Sequence, residues 1–281
     1  MADWIAKGGR HVTAFHQARA QNLHLERVQV DEVWGFVGKK PQHVTGEEPD
    51  PEVVGVRWVT IGLKVRSRFV VAWDIGTSRD RAFGRSFIGQ IKACSDGRPP
   101  LFESDGCAMY ENGIRWHYKE KVPLPPGEHR GPGRPCLRLH ADVCLAQVIK
   151  HHCGRRLVKV ERRIRLGDPA RVAQIIRQTG CGSQVNTSYI ERFNGTLRDR
   201  VPALARQTYA FARSDPILAG QVALAIVDYA WCTYHTSLRI ATNESGRKWR
   251  KRTPAMAEGL TDHKWTLKEI LWVPTHSLST I

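Results

Sequence analysis

Asp31, Asp105 and Glu191 occupy three kinds of position from which carboxylates can be brought to one point: inside an apolar strand, at a strand end and near the start of a helix. Asp31 lies within "RVQVDEVWGFVGKK" (27 to 40), on the same face as Val33 and Val37 by period-two alternation. A lone carboxylate buried there costs several kcal/mol unless a cation or hydrogen-bond donors compensate it. Asp105 closes the short run "LFES", and Glu191 opens the helix read through "VNTSYIERFNGTLRDRVPAL" (185 to 204). The three are far apart in sequence, so any meeting must be tertiary. Converging carboxylates repel, and divalent cations relieve that most naturally; oxygen-only ligands favour magnesium or manganese over zinc. Two such ions, about 3.5–4 Å apart, activate a water or 3′-hydroxyl and stabilise the leaving oxygen during in-line attack at phosphorus. Each residue also has a plainer reading. Asp31 could be a hydrogen-bonded structural aspartate, "SDG" at 104 to 106 a turn like "SDG" at 95 to 97, and Ser188-x-x-Glu191 a capping box in which the glutamate serves only a helix-terminal amide. The nearest substitutes for the two aspartates are Glu32 and Asp96.

Positioning such residues requires a sheet and helices, and the hydrophobic pattern supplies both. Three strand-like runs (27 to 40, 53 to 65, 68 to 77) predict a meander of hairpins. Helical spacing at Ala82, Phe83, Phe87, Ile88 and Ile91 predicts a helix over 79 to 94. "LFESDG" reads as a strand and "AMYENGIRWHY" as a helix, which makes the order βββαβα. "KVPLPPGEHRGPGRPCLR" (121 to 138) reads as a basic loop, too rich in proline and glycine for a core element. Residues 145 to 168 read as a hairpin turning at "CGRR". A short helix, "PARVAQIIRQTG", follows with its permitted N-terminal proline, then the Glu191 helix, and a long apolar partner helix over 216 to 235. On the Glu191 helix, Ile190, Phe193 and Leu197 form one apolar stripe for the sheet, while Glu191, Asn194, Gly195 and Arg198 share another face expected to meet substrate.

The chain has 281 residues, room for one large domain with a full core or one domain with attachments. Lysine and arginine number 43 against 27 acidic residues, a net charge of +16. Between Arg115 and Arg213 basic residues outnumber acidic ones by 20 to 7, which points to a polyanionic partner, nucleic acid first. The seven cysteines form no C-x-x-C pair, and reduced cytosolic thiols are the simplest reading. The N-terminus "MADWIAKGGRHV" is charged where a signal peptide is apolar, and no apolar run approaches the roughly 18 residues of a membrane span. A cytoplasmic, nucleoid-associated protein without a membrane partner is expected.

Taken together, "QVDEVWGFVGKK", "ESDG..MYE" and "NTSYIERFNGTLR..V..LAR" resemble the catalytic core of bacterial insertion-sequence transposases, the family typified by insertion sequence one. "YHTSLR" followed by "RTPAMAEGLTD" is similar to the stretch after the core in longer members, so the resemblance covers roughly residues 25 to 265. It implies an α/β, ribonuclease-H-like (retroviral integrase-like) fold with a mixed sheet flanked by helices. It also implies a DDE triad of Asp31, Asp105 and Glu191 holding two magnesium or manganese ions, and cleavage and strand transfer on double-stranded DNA. By analogy a homo-oligomer is expected. The candidate DNA contacts are Arg192, Asn194 and Arg198 on the helix, Arg162 and Arg163 in the hairpin, and Arg134 in the loop. Gly133-Arg134-Pro135 is similar to the core of AT-hook minor-groove binders, with an ordinary flexible loop as the alternative.

The expected organisation is an N-terminal remnant of a helix-turn-helix region (1–25), a catalytic core (26–240) and a basic extension (241–281). Relatives usually begin with a zinc-binding and helix-turn-helix region, and residues before Asp31 resemble only its final helix and exit. Either a separately encoded recognition subunit or a truncated copy is implied. The alternatives to a transposase are a ribonuclease-H-like nuclease and a DNA-binding remnant without catalysis.

Overall fold

A helix, α1 (Ala2–Arg19), leads into β1 (Arg27–Val37), β2 (Gly55–Lys64) and β3 (Val70–Gly76). The computed structural model describes residues 2–45, 54–122, 136–154, 156–242, 246 and 248–274. Then come α2 (Arg81–Cys94), β4 (Leu101–Ser104), α3 (Ala108–His117), β5 (Lys119–Val122), β6 (Cys136–Leu139), β7 (Cys144–Cys153), β8 (Arg156–Leu166), α4 (Pro169–Thr179) and α5 (Ser188–Arg200). The last described elements are α6 (Asp215–Val227), β9 (His235–Ala241), β10 (Trp249–Arg252), α7 (Pro254–Glu258) and α8 (Leu267–Trp272). The fold is α/β, with a mixed six-stranded sheet in the order β3-β2-β1-β4-β7-β8 and helices on its flanks. β1, β2 and β3 pair antiparallel; β4 runs parallel to both β1 and β7; β8 returns antiparallel to β7.

Both faces of the sheet are covered, so the central strands are buried along most of their length, polar residues such as Arg27, Gln29 and Glu103 included. Val28, Val30, Val33, Ile61, Leu63 and Phe102 are fully buried with Phe87, Ile88 and Ile91 of α2 and Ile190, Phe193 and Leu197 of α5. The apolar stripe expected on α5 is therefore its sheet-facing side. Asp80 caps α2 by accepting from the Phe83 N–H, and Asp168 caps α4 ahead of Pro169.

Three expectations are corrected. The stretch 121–138 is not wholly a loop: its ends form β5 and β6, paired Val122 to Cys136, while residues 123–135, with Arg134 and the Gly-Arg-Pro tripeptide, lie outside the described residues. The long apolar helix stops at Val227 and closes in a wider π turn at 228–232, and the chain leaves as β9. That turn drives Tyr229 and Trp231 into the core and lets Arg200 bind Asp228 at 2.5 Å. Nor is α5 the main partner of α6. That role falls to α1, because a β-carbon at Gly9 would lie 2.3 Å from the Gly220 Cα, an approach open only to a glycine pair. α1 carries Val12 and Phe15 into the shared core, with Phe15 edge-on to Trp231. Among the described residues no helix is long and apolar enough to cross a membrane.

Candidate active site

β4 is only four residues long, and it sits between two long strands. Its parallel pairing with β1 runs from Arg27–Leu101 to Gln29–Glu103, and its pairing with β7 ends at Ser104–Gln147. Continuing the first register sets Asp31 level with Asp105, the first residue beyond β4. The notch above the end of β4 is lined by Asp31, Asp105, Gly106, Val148, Ile149, Lys150, Thr187 and Glu191. It lies at the carboxyl ends of the parallel strands, where open α/β sheets bind ligands. The structure thus brings all three sequence-derived carboxylates to one cleft.

Their surroundings differ. Asp31 accepts a hydrogen bond from Asn194 Nδ2 at 2.8 Å, yet burial and the neighbouring charges of Glu32, Asp105 and Glu191 push its carboxyl up to about 7. Asp105 accepts from the Cys107 N–H at 2.9 Å, and its carboxyl is also raised, by burial first and then by Glu32. Glu191 is held by Lys150 Nζ at 2.6 Å and by the Thr187 hydroxyl. Glu32, adjacent to Asp31 and on the opposite face of β1, also reaches this region. Asp31, Glu32 and Asp105 each bring one oxygen within 4.8 Å of the other two, and Glu191 stands outside that group. Glu32 is already engaged, accepting from Arg79 NH1 at 2.8 Å and from the Tyr110 hydroxyl at 2.6 Å. Glu32 and Glu191 are thus each engaged by one cation and one hydroxyl, and they differ in exposure: the Glu32 side chain is buried, whereas that of Glu191 is open to solvent at the cleft. Glu32, expected only as a substitute for an aspartate, lies by period two on the far face of β1 from Asp31. Asp96 is remote from the cleft and pairs with His24.

The capping-box reading of Glu191 fails. The N-cap of α5 is Thr187 rather than Ser188, so Glu191 stands at the fourth helical position and takes the Thr187 hydroxyl, not the backbone N–H that a capping box requires. The first-turn amides of Tyr189 and Ile190, which have no partner within the helix, are instead taken by Gln29 Oε1 of β1, at 3.1 and 2.9 Å. Gln29 belongs to a buried network that fixes where α5 begins. Arg27 grips Glu103 with Nε and NH2 at 2.7 and 2.8 Å, and Arg27 NH1 donates to the Cys181 carbonyl. Gln29 Nε2 and the Asn186 N–H complete the Glu103 carboxylate at 3.0 and 3.2 Å. Nothing in the sequence pattern marked Arg27, Gln29 or Glu103, since each sits in a run read only as strand.

The expected DNA contacts divide. Asn194 is corrected: it is buried, its Nδ2 is committed to Asp31, and its Oδ1 has no hydrogen-bond partner, so it positions a carboxylate instead of meeting substrate. Arg198, one turn on, is half-buried beside Arg206, and Asp31 lies within its field. Arg192 is exposed. Arg162 and Arg163 are exposed on β8, with Nε atoms donating to the Val185 carbonyl and to Gln147 Oε1.

A larger cleft at the opposite end of the sheet is lined by His24, Arg66, Arg98, His140 and Arg171. Its charges are largely matched, His24 and Arg98 by Asp96 and Arg171 by Asp142, so it lacks the imbalance of the carboxylate notch. The sequence matches no protein-family model, and no curated protein matches it at a significant level.

Proposed function

We propose that this chain is a divalent-metal-dependent enzyme acting on phosphodiester bonds, with a ribonuclease-H-like fold. The carrying observation is the notch beyond β4, where Asp31 and Asp105 stand level, under-compensated and joined by Glu191. Three antiparallel strands continuing into two parallel ones are compatible with that fold.

The donor set fits magnesium or manganese. Its free ligands are carboxylate oxygens, and burial keeps the neighbouring Cys107 thiol protonated, so a soft ligand is not offered. Asp31, Asp105 and Glu191 would hold the two ions. Once bound, the ions would activate a water or 3′-hydroxyl and stabilise the leaving oxygen. The chain's own residues do the rest. Asn194 fixes the Asp31 carboxylate. Without a cation, Asp31 keeps a proton for much of the time at neutral pH. Lys150 occupies Glu191 and, when displaced from it, supplies positive charge for a phosphate at the mouth of the cleft.

More narrowly, we read the enzyme as a DNA transposase of the insertion-sequence-one type. Support comes from the resemblance of the three segments that carry these carboxylates and from a net charge of +16, suited to DNA. The test mixes the protein, magnesium, a duplex with an exposed 3′-hydroxyl and a supercoiled plasmid. Joined product that disappears in chelator and in Asp105→Asn is expected. Cutting without joining would make the protein a nuclease, and binding without either would make it a catalytically idle remnant.

A further inference from the structure

We propose that the outer half of the β7–β8 hairpin is an arm that enters the major groove of duplex DNA and holds it over the carboxylate cleft. This rests on the reading of DNA as substrate.

β7 runs well past the end of β4, and its pairing with β8 continues to Cys153–Arg156. Residues 150–153 and 156–159 are all exposed, so the two strands stand clear of the sheet as a ribbon wet on both faces. Four residues of strand reach about 13 Å at roughly 3.3 Å per residue. The major groove is about 12 Å wide and 8.5 Å deep and admits a two-stranded ribbon. Length and thickness both suit it.

The chemistry suits it too. Lys150, His151, His152, Arg156, Lys159, Arg162 and Arg163 lie along the ribbon and its root, against the single acid Glu161. Leu157 and Val158 are 46% and 58% exposed near the tip, unusual on strands whose roots join a full core. In a major groove such side chains meet thymine methyl groups. The register shifts between His151 and His152, a bulge that increases local twist. At the root Lys150 binds Glu191, so whatever the ribbon grips passes beside the cleft.

β8 is also the terminal strand of the sheet, where a second copy could add. Two copies of this edge would oppose Arg156, Lys159, Arg162, Arg163 and Arg165 to one another, which disfavours that partner and favours a polyanion.

The test measures binding of a 30-base-pair duplex to the full chain without divalent metal, from 50 to 300 mM salt, for wild type and for the double variant Arg156→Ala/Lys159→Ala. The variant should melt at the wild-type temperature and bind at least tenfold more weakly at 100 mM salt. Its slope of log affinity against log salt should be shallower by about 1–2, one phosphate being worth about 0.9. Unchanged affinity and slope would overturn the proposal, as would a change in sedimentation that assigns the edge to self-association. The catalytic reading is judged separately. If the variant loses binding while wild type neither cuts nor joins DNA in magnesium, the arm stands and the enzyme falls; if the variant binds as wild type and wild type joins DNA, the reverse holds.

Discussion

Glu103 and Asp105 lie two residues apart at the same strand end, and their surroundings could hardly differ more. Glu103 is fully buried, yet a bidentate guanidinium, a side-chain amide and a backbone N–H satisfy it. Asp105 accepts from one backbone N–H and feels the Arg79 guanidinium, but burial and the neighbouring carboxylates outweigh them and its carboxyl is raised. The same contrast runs along β1, where Arg27 and Gln29 complete the first site and Asp31, pushed up to about 7, faces the second. The fold can neutralise a buried carboxylate when its role is to fix geometry. Where it does not, the carboxyl keeps a proton more readily, and the proposed divalent cation would supply the positive charge that the fold withholds.

Removing one partner of the compensated site should do the most damage. Glu103→Ala leaves a buried guanidinium unpaired, so urea unfolding should show a loss of about 3–5 kcal/mol, equal with and without magnesium. A loss below 1 kcal/mol would erase the distinction between the two sites. Asp105→Asn should do the opposite: strand joining should fall by at least 100-fold, several kcal/mol of transition-state stabilisation, while the unfolding midpoint does not drop.

Asp31→Asn sharpens the comparison through pH. The folded-state carboxyl titrates at about 7 and the unfolded one near 3.8, so its ionisation penalises the fold progressively above pH 4 and fully above pH 7. That displacement bounds the penalty at roughly 4 kcal/mol, and relaxation around the site should leave about 2. In metal-free buffer the variant should therefore be the more stable protein at pH 8, with the gain gone at pH 4. A gain that persists at pH 4 would assign it to packing.

The smallest expected effects on stability concern the start of α5. Glu191→Gln should cut joining strongly and change stability by less than about 0.5 kcal/mol, because Gln29 caps the helix. Ser188→Ala should do little to either. Gln29→Ala should cost about 1–2 kcal/mol by uncapping two amides. A cost concentrated in Ser188→Ala would restore the capping box.

Much of this was legible in the sequence because it follows from periodicity. Alternating and continuous apolar runs marked β1 to β3, and Phe87, Ile88 and Ile91 marked α2. The stripe Ile190, Phe193 and Leu197 gave the buried face of α5 before any contact was known. What stayed hidden depends on pairings distant in the chain. The Gln29 cap joins β1 to α5 across a gap no local pattern spans, and Glu103 has no meaning until Arg27 faces it. Glu32 was obscured because its distance to Asp105 is set by the ending of β4, not by alternation. Asn194 looked like substrate-facing surface since a helical face does not say which polar neighbour waits beneath it. The π turn at 228–232, which carries Tyr229 and Trp231 inward, replaced the last part of an expected helix.

The central claim, that the under-compensated cleft is a cation site, is tested most directly by the melting temperature in 10 mM magnesium against chelator, for wild type and Asp105→Asn. With a dissociation constant near 1 mM, binding to the folded state alone should stabilise wild type by about 1.4 kcal/mol, a rise of a few degrees, and should leave Asp105→Asn nearly unmoved. Equal shifts in both proteins, or none in either, would contradict it.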